Sequence, residues 1–436
     1  MAMTQDDNED LCRVGPGTVM GELLRQYWHP VLHSDQLAAD GAPIQVRLLG
    51  EDFVAFRASD GRVGFFHEKC PHRGASLVLA RNEDNGLRCI YHAWKFDVEG
   101  RVVHLPTEQD HDAEAQARCV KLRRHPVREE GGLVWVYPGG RPVPAPFPAF
   151  DLLALPQERR YLRSGPVHCN WVQIMEAFHD SSHVEQLHRD TLFGPDARMT
   201  PLREARLRTR ARTEFIDAPW GLREAAVRTL PDGTRSANIK AFVAPHHVLL
   251  PSEPGRPATL VTAVPIDDTH TRLFFLSGER RPRPIDPAEA FGGRVADPHD
   301  FRGDIGTPET AWGQDREAMR RGHANGLVGK SVIQEDVVVA ESMGPIADRS
   351  YEHPTAVDAG IVRIRERLLA AARALRATGA VPPGLAGDTD YGRIRTLVTF
   401  LAPGENWGEI NLHTRWEQVL QEHTPASTSP QRKPSA

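Results

Sequence analysis

The sequence predicts an α+β protein in two parts: a small all-β domain, then a larger domain that mixes strands with helices. Between Ile44 and Tyr137 the apolar residues fall in short alternating runs, cut by Asp60-Gly61, Asn85-Gly86 and Glu99-Gly100, the pattern of strands joined by tight turns. A Pro-rich stretch from Pro138 to Pro156 interrupts that pattern. Beyond it, helical and strand periodicities interleave as far as Thr378. These observations divide the chain into a helical segment (1–40), a β domain (41–140), a larger domain (150–423) and a Pro/Ser/Thr-rich tail (424–436) whose composition predicts disorder.

Taken in order, Met20, Leu23, Leu24 and Tyr27 sit at helical spacing and predict a short amphipathic helix between Gly17 and Trp28. Val46-Arg47-Leu48-Leu49 and Val63-Gly64-Phe65-Phe66 read as strands of the first domain. In the second part Asn170–His188 reads as a helix. Ala241-Phe242-Val243-Ala244 and Leu260-Val261-Thr262-Ala263-Val264 read as strands within 206–280. Ser331–Ser342 and Ala356–Thr378 are helical again, the latter with Ile361, Ile364, Leu368 and Leu369 on one stripe. The Arg-rich run Arg203 to Arg212 is interleaved with Leu, Thr and Ala and reads as a solvated face.

At 436 residues the chain can bury a sizeable core, and its net charge of −5 speaks against a nucleic-acid partner or an anionic membrane. No apolar run approaches the ~18–20 residues of a membrane span, and Met1–Asp10 has neither a basic nor an apolar leader segment. A cytoplasmic protein is expected. Five cysteines are present. Cys12, Cys119 and Cys169 are scattered and odd in number, which predicts reduced thiols rather than a disulfide framework. Gly326-Leu327-Val328-Gly329-Lys330-Ser331 lacks the spacer of a phosphate-binding loop, and Gly15-Pro16-Gly17 follows no predicted strand. Electrons from a nicotinamide would therefore have to arrive through another protein.

The chemistry is concentrated in two places. Cys70-Pro71-His72 is followed by Cys89-Ile90-Tyr91-His92, so each arm carries one thiol and one imidazole. A Rieske [2Fe-2S] cluster needs this mixed set, with two thiolates on one iron and two imidazoles on the other. A Cys2His2 zinc site is the alternative, although zinc sites more often pair like with like along the chain. Downstream, Asp180, His183 and His188 form an Asp-x2-His-x4-His pattern. Two histidines and a carboxylate can hold Fe(II) on one face and leave positions open for O₂ and substrate. A spacing of five sets His183 and His188 ~140° apart on a straight helix, so joint ligation calls for a local widening of the π-bulge type. Two surface histidines on an ordinary helix are the alternative.

The run Cys70 to Leu77 with Cys89 to Asp97, and the segment Asn170–His188 after it, resemble the Rieske non-heme iron oxygenases. One departure is Ala93, where that family usually carries Gly, a residue needed where backbone φ is positive. Arg13-Val14-Gly15-Pro16-Gly17-Thr18, Asn170-Trp171 and Gly344-Pro345-Ile346-Ala347-Asp348-Arg349-Ser350 resemble the phthalate dioxygenase branch most. The resemblance implies a cluster held by Cys70, His72, Cys89 and His92, and a mononuclear Fe(II) held by His183, His188 and a later carboxylate. Asp336, in Gln334-Glu335-Asp336, matches the position of that carboxylate, with Asp348 as second candidate. By the same match, Asp180 would join His183 to His92 of a neighbouring subunit; a carboxylate that only orients His183 is the alternative. His179 is unusual at its position and reads as a packed or pocket-lining residue.

The resemblance further implies a helix-grip catalytic domain, an α-only homotrimer arranged head to tail and a separate flavin and iron–sulfur reductase fed by NAD(P)H. Its reaction would be dihydroxylation of an aromatic substrate with O₂, or else monooxygenation leading to O- or N-demethylation. An aromatic carboxylate would need a cationic partner, best an arginine fork; Arg223 and Arg228 are candidates, with surface arginines as the alternative. A Rieske electron carrier without catalysis is the remaining class, and the second metal motif speaks against it.

Overall fold

A computed structural model describes residues 3–423 except 108–116, 121, 140–142, 196, 198 and 254. The expected disordered tail, 424–436, lies outside the described residues. Two β units precede the Pro-rich linker. Strands Ile44–Leu48, Glu51–Arg57 and Val63–His67 form one antiparallel sheet. Four short strands between Arg81 and His104 form another. The turn signals act as their sequences demand: Gly61, Asn85 and Gly100 all have positive φ.

The N-terminal helix is shorter than the periodicity suggests, Val19–Leu24, with Thr18 as its cap. Pro30 cannot continue a helix, and the chain enters strand His29–His33. That strand pairs with Leu133–Val136, itself paired with Val127–Glu130. The segment before residue 41 thus contributes a strand as well as helices.

The larger part is one eight-stranded antiparallel sheet. Its order runs Arg160–Val167, Thr271–Gly278, Ala258–Pro265, His247–Leu249, Arg235–Val243, Gly221–Thr229 and Arg212–Ala218, with Leu397–Leu401 also paired to Arg235–Val243. Ala258–Pro265 is buried along its whole length, because helices cover one face of the sheet and the N-terminal β units approach the other. Inward polar groups are paired: Thr259 Oγ1 meets Ser277 Oγ at 3.0 Å, and Thr271 Oγ1 donates to the Cys169 carbonyl. Helices Trp171–His179, Val332–Ser342 and Ala359–Thr378 pack on this sheet, the last ending at Gly379 in a left-handed conformation. No described helix is long and apolar enough to cross a membrane.

One buried charged hub ties these helices together. Glu176, on Trp171–His179, takes Nε and Nη2 of Arg349 at 2.7 and 2.9 Å and Nε of Arg365 at 2.6 Å. Arg349 is wholly buried and also donates to Asn8 Oδ1 at 2.9 Å, on the first helix. Both arginines hold the Glu176 carboxyl below its ordinary value against the opposing effect of burial. Cys12 and Cys169 are buried, Cys119 is exposed, and none is in a disulfide. Burial pushes the Cys12 thiol up to about 11, that of an inert packed group.

Candidate metal centres

The first centre is built from two copies of one loop. Cys70 N–H donates to the Ala75 carbonyl and Gly74 N–H to the Cys70 carbonyl, both at 2.8 Å; Cys89 N–H to Trp94 and Ala93 N–H to Cys89 repeat the pattern at 2.9 and 3.0 Å. Each loop closes with a left-handed residue, Gly74 at φ +74° and Ala93 at φ +58°. The departure at Ala93 therefore leaves the loop in the conformation a glycine would give it, with the cost borne by the alanine backbone. Cys70 and Cys89 are buried. The rings of His72 and His92 lie 4.5 Å apart, and His72 stacks on Trp94 with 7° between planes. No three of the four offer donor atoms within 4.8 Å of one another, whereas one tetrahedral zinc spaces its ligands about 3.3–3.8 Å apart. Two thiols and two imidazoles in separate couples suit a two-iron cluster.

At the second centre the expected helix Asn170–His188 is broken. Asn170 caps its start by accepting from Val172 N–H. The chain leaves the helix at Asp180 (φ −81°, ψ 116°) and resumes at Val184–Leu187. Asp180 Oδ1 fixes the bend by taking Ser182 N–H at 2.6 Å and Ser182 Oγ at 2.7 Å, the local competition with helix that Asp and Ser provide. A kink at His188 (φ −94°, ψ 21°) then turns its ring toward His183, with 5.2 Å between ring centroids. No π-bulge is needed; the break and the kink do what a widened turn was expected to do.

Helix Val332–Ser342 supplies the carboxylate. Ser331 closes a capping box with Gln334, which sets Glu335 and Asp336 in the first turns. Asp336 Oδ1 lies 3.4 Å from His183 Nε2 and 3.1 Å from His188 Nε2. One donor atom from each of these three residues falls within 4.8 Å of the others, so they can hold one ion. Asp348, the other candidate, closes an Asx turn with Ser350 elsewhere.

Both imidazoles have a second carboxylate on the ring nitrogen facing away from Asp336. Asp180 Oδ2 is 3.3 Å from His183 Nδ1. Glu335 Oε2 is 2.7 Å from His188 Nδ1, and its other oxygen accepts from Thr191 Oγ1 at 2.9 Å and Asn325 Nδ2 at 3.1 Å. Such partners fix the tautomer that leaves Nε2 for a metal. Glu335 had no distinguishing mark in the sequence beyond its place beside Asp336. Burial opposes a charged His183 ring, but Asp180 and Asp336 together lift it to about 9; the same contacts hold Asp336 at about 2.

His179 is not part of this group. Its Nδ1 pairs with Glu224 Oε2 at 3.0 Å. Lys240 Nζ meets Glu224 Oε1 at 2.9 Å and donates to the Phe178 carbonyl and Ser181 Oγ. The three buried residues bolt the end of the helix to the sheet.

Two cavities flank the triad, and Asp180, His183 and Asp336 line both. One, about 180 Å³, is walled by Phe178, Leu192, Leu250, Pro257 and Phe291, with Arg203, Arg206 and Lys240 among its polar groups. The other, about 300 Å³, opens between Met343, His353 and Ile361. Arg223 and Arg228, the sequence candidates for substrate, line neither. Arg223 lies over the Trp407 ring at 5.5 Å, and Arg228, 2% exposed, pairs with Glu185. The run Arg203–Arg212 is likewise not a plain solvated face: Arg203 is buried on Glu253, and Arg206 reaches Glu185 from the cavity wall.

Residues 27–123 match the model of the Rieske [2Fe-2S] domain, and 148–429 match that of the LigXa C-terminal domain. The chain is 34% identical to the 3-chlorobenzoate-3,4-dioxygenase oxygenase subunit of Comamonas testosteroni, covering 97% of this chain and 99% of that one. It belongs to the Rieske-type oxygenases. The phthalate 4,5-dioxygenase oxygenase subunit of Pseudomonas putida is 33% identical over 95% of this chain and 96% of its own, which sets this Rieske oxygenase in the phthalate dioxygenase-like branch. Dicamba monooxygenase bound to 3,6-dichlorosalicylic acid shares the fold, with a TM-score of 0.56 at 19% identity over 81% of this chain and 99% of that one. A Rieske oxygenase subunit carries a [2Fe-2S] cluster and a mononuclear non-heme iron, and receives its electrons from a separate reductase.

Proposed function

We propose that this oxygenase subunit dihydroxylates a carboxylated aromatic ring, with Cys70, His72, Cys89 and His92 holding the cluster and His183, His188 and Asp336 holding the iron. The observation that carries the reading is the position of the triad at the edge of an apolar-walled cavity that also contains Arg206. When bound, the cluster supplies single electrons and the iron supplies O₂ activation. What the chain does is positional. Glu335 and Asp180 orient the two imidazoles, and Phe178 and Phe291 line the cavity for an aromatic guest. Arg206 Nε and Arg228 Nη2 both sit 2.8 Å from the same oxygen, Glu185 Oε1. Two guanidinium groups sharing one carboxylate leave positive charge on the Arg206 side, the complement of a substrate carboxylate. Arg206 thus replaces Arg223 and Arg228 as the substrate-binding residue.

The second cavity suits a neighbouring copy. Leu79, Ile90 and Tyr91 are exposed around the cluster loops and form an apolar tip. In a head-to-tail homotrimer that tip would dock in the cavity of the next chain, with Asp180 linking His183 to His92 of the partner subunit. The deciding experiment supplies a reductase of this class, NADH and a panel of aromatic acids and methyl ethers. A cis-diol from an aromatic acid, with its KM raised by Arg206→Ala while an uncharged analogue is unaffected, is the expected result. Formaldehyde release from methyl ethers without any diol would make the protein a demethylase instead.

A further inference from the structure

A second group of metal-ligating side chains lies outside both centres described above. His33 ends strand His29–His33, Asp35 follows in the 3-10 turn Ser34–Gln36, and His299 comes from the loop that borders strand Arg160–Val167. One donor atom from each falls within 4.8 Å of the other two. The His33 and His299 rings meet edge to face with 4.6 Å between centroids, and Asp35 Oδ2 is 3.7 Å from His299 Nε2.

Two of these rings carry nitrogens with nothing to bind. His33, 4% exposed, has a buried Nε2 without a hydrogen-bond partner, and His299 has a buried Nδ1 in the same condition. An unpaired buried polar atom is unfavourable, and His33 Nε2 is open to a ligand that accepts its lone pair, beside the edge of His299 whose Nε2 meets Asp35. The surroundings hold the rings in place. Asp297 Oδ1 takes His299 N–H at 2.8 Å, and Arg272 Nη2 donates to the His299 carbonyl at 2.8 Å. Arg272 brings positive charge near His33, which the Asp35 and Asp297 carboxylates oppose.

We propose that His33, Asp35 and His299 form a second mononuclear metal site, for a divalent ion of the zinc class, that pins the His29–His33 strand to the 297–301 loop. Two imidazoles and one carboxylate suit Zn²⁺ among the borderline ions, with water completing the shell. An ion about 2.0–2.1 Å from each donor sets them about 3.3 Å apart, so donors within 4.8 Å of one another close by up to about 1.5 Å. Asp35, whose side chain is 73% exposed, has the freedom to make that movement. His33 lies in the segment matched by the Rieske domain and His299 in the segment matched by the LigXa C-terminal domain. A bound ion would therefore staple the two parts of the chain. The donor set repeats that of His183, His188 and Asp336, so metal analysis must tell the two sites apart.

The test uses iron-loaded holoenzyme equilibrated with buffered micromolar Zn²⁺ and freed of excess metal, with zinc and iron per chain read by mass spectrometry. Wild type should take up one zinc per chain without losing iron, and its Tm should rise. His299→Ala and the exposed Asp35→Asn should bind that zinc about tenfold or more weakly, lose the Tm response, and keep their iron and cluster absorbance. Equal zinc uptake by wild type and both variants would overturn the proposal. So would zinc that enters only as iron leaves, or no uptake by wild type.

Discussion

Glu335→Gln tests how the iron site is held without touching a proposed ligand. Glu335 is fully buried, and its two oxygens serve three donors: His188 Nδ1 on one side, Thr191 Oγ1 and Asn325 Nδ2 on the other. A glutamine has one acceptor oxygen to offer. If that oxygen stays with Thr191 and Asn325, its NH₂ group faces His188 Nδ1 and favours the tautomer with the proton on Nε2, the nitrogen a metal needs. If the amide turns over, two donors lose their acceptor. Loss of such an orienting carboxylate lowers metal affinity by about 10–100-fold, equivalent to about 1.4–2.7 kcal/mol. The assay is chelator competition for the mononuclear iron, with cluster absorbance as the control for folding. Iron affinity within twofold of wild type would refute the reasoning, because His188 would then need no help to face the metal.

Five further outcomes follow from the structure. Asp336→Ala should remove the mononuclear iron and leave the cluster, whereas Asp348→Ala should retain both; metal counts for each variant decide it. Asp180→Asn should keep both metals and normal chemical reduction of the cluster, yet nearly stop product formation and slow the cluster's reoxidation by O₂ with substrate present. Iron binding to the metal-free mononuclear site should strengthen as pH rises toward about 9 and then level off, because below that value His183 must release a proton first. The same raised value stabilises the iron-free chain below its ordinary 6.5, and that contribution is lost as pH rises through about 9, which denaturation at several pH values would measure. Ala93→Gly should stabilise the cluster loop by up to about 1 kcal/mol, since a left-handed alanine costs about 1–2 kcal/mol and the freer unfolded chain returns part of it; unchanged or lower cluster retention on heating would contradict it.

What could be read in advance tracks sequence separation. The cluster arms were legible because each needs only three or four consecutive residues. His183 and His188 were legible as a pair, but their geometry was not. The cue was Asp180-Ser181-Ser182, whose side chains compete for backbone hydrogen bonds and end the helix where periodicity would continue it. Glu335 and Asp336 are neighbours of the same chemistry, and only the crossing of two helices gives one the proposed metal position and the other the imidazole proton. Among the arginines, Arg206 faces the cavity while Arg223 and Arg228 do not, a distinction set by tertiary packing that one sequence does not display. The fold class was readable from its periods. Pairing Leu397–Leu401 with a strand over 150 residues earlier was not.

The hub around Glu176 has a practical consequence for anyone trimming or tagging this protein. Arg349 Nη1 donates to Asn8 Oδ1 at 2.9 Å and to Cys12 Sγ at 3.2 Å, both on the first helix, and Arg349 in turn grips the helix that leads into the iron motif. Removing the first ten or so residues would spare every metal ligand and still loosen the fork beneath them. A shortened chain that folds, keeps its brown colour and loads iron poorly would thus be reporting a distant mechanical fault. Terminal design for crystals or fusion proteins should begin upstream of Thr4.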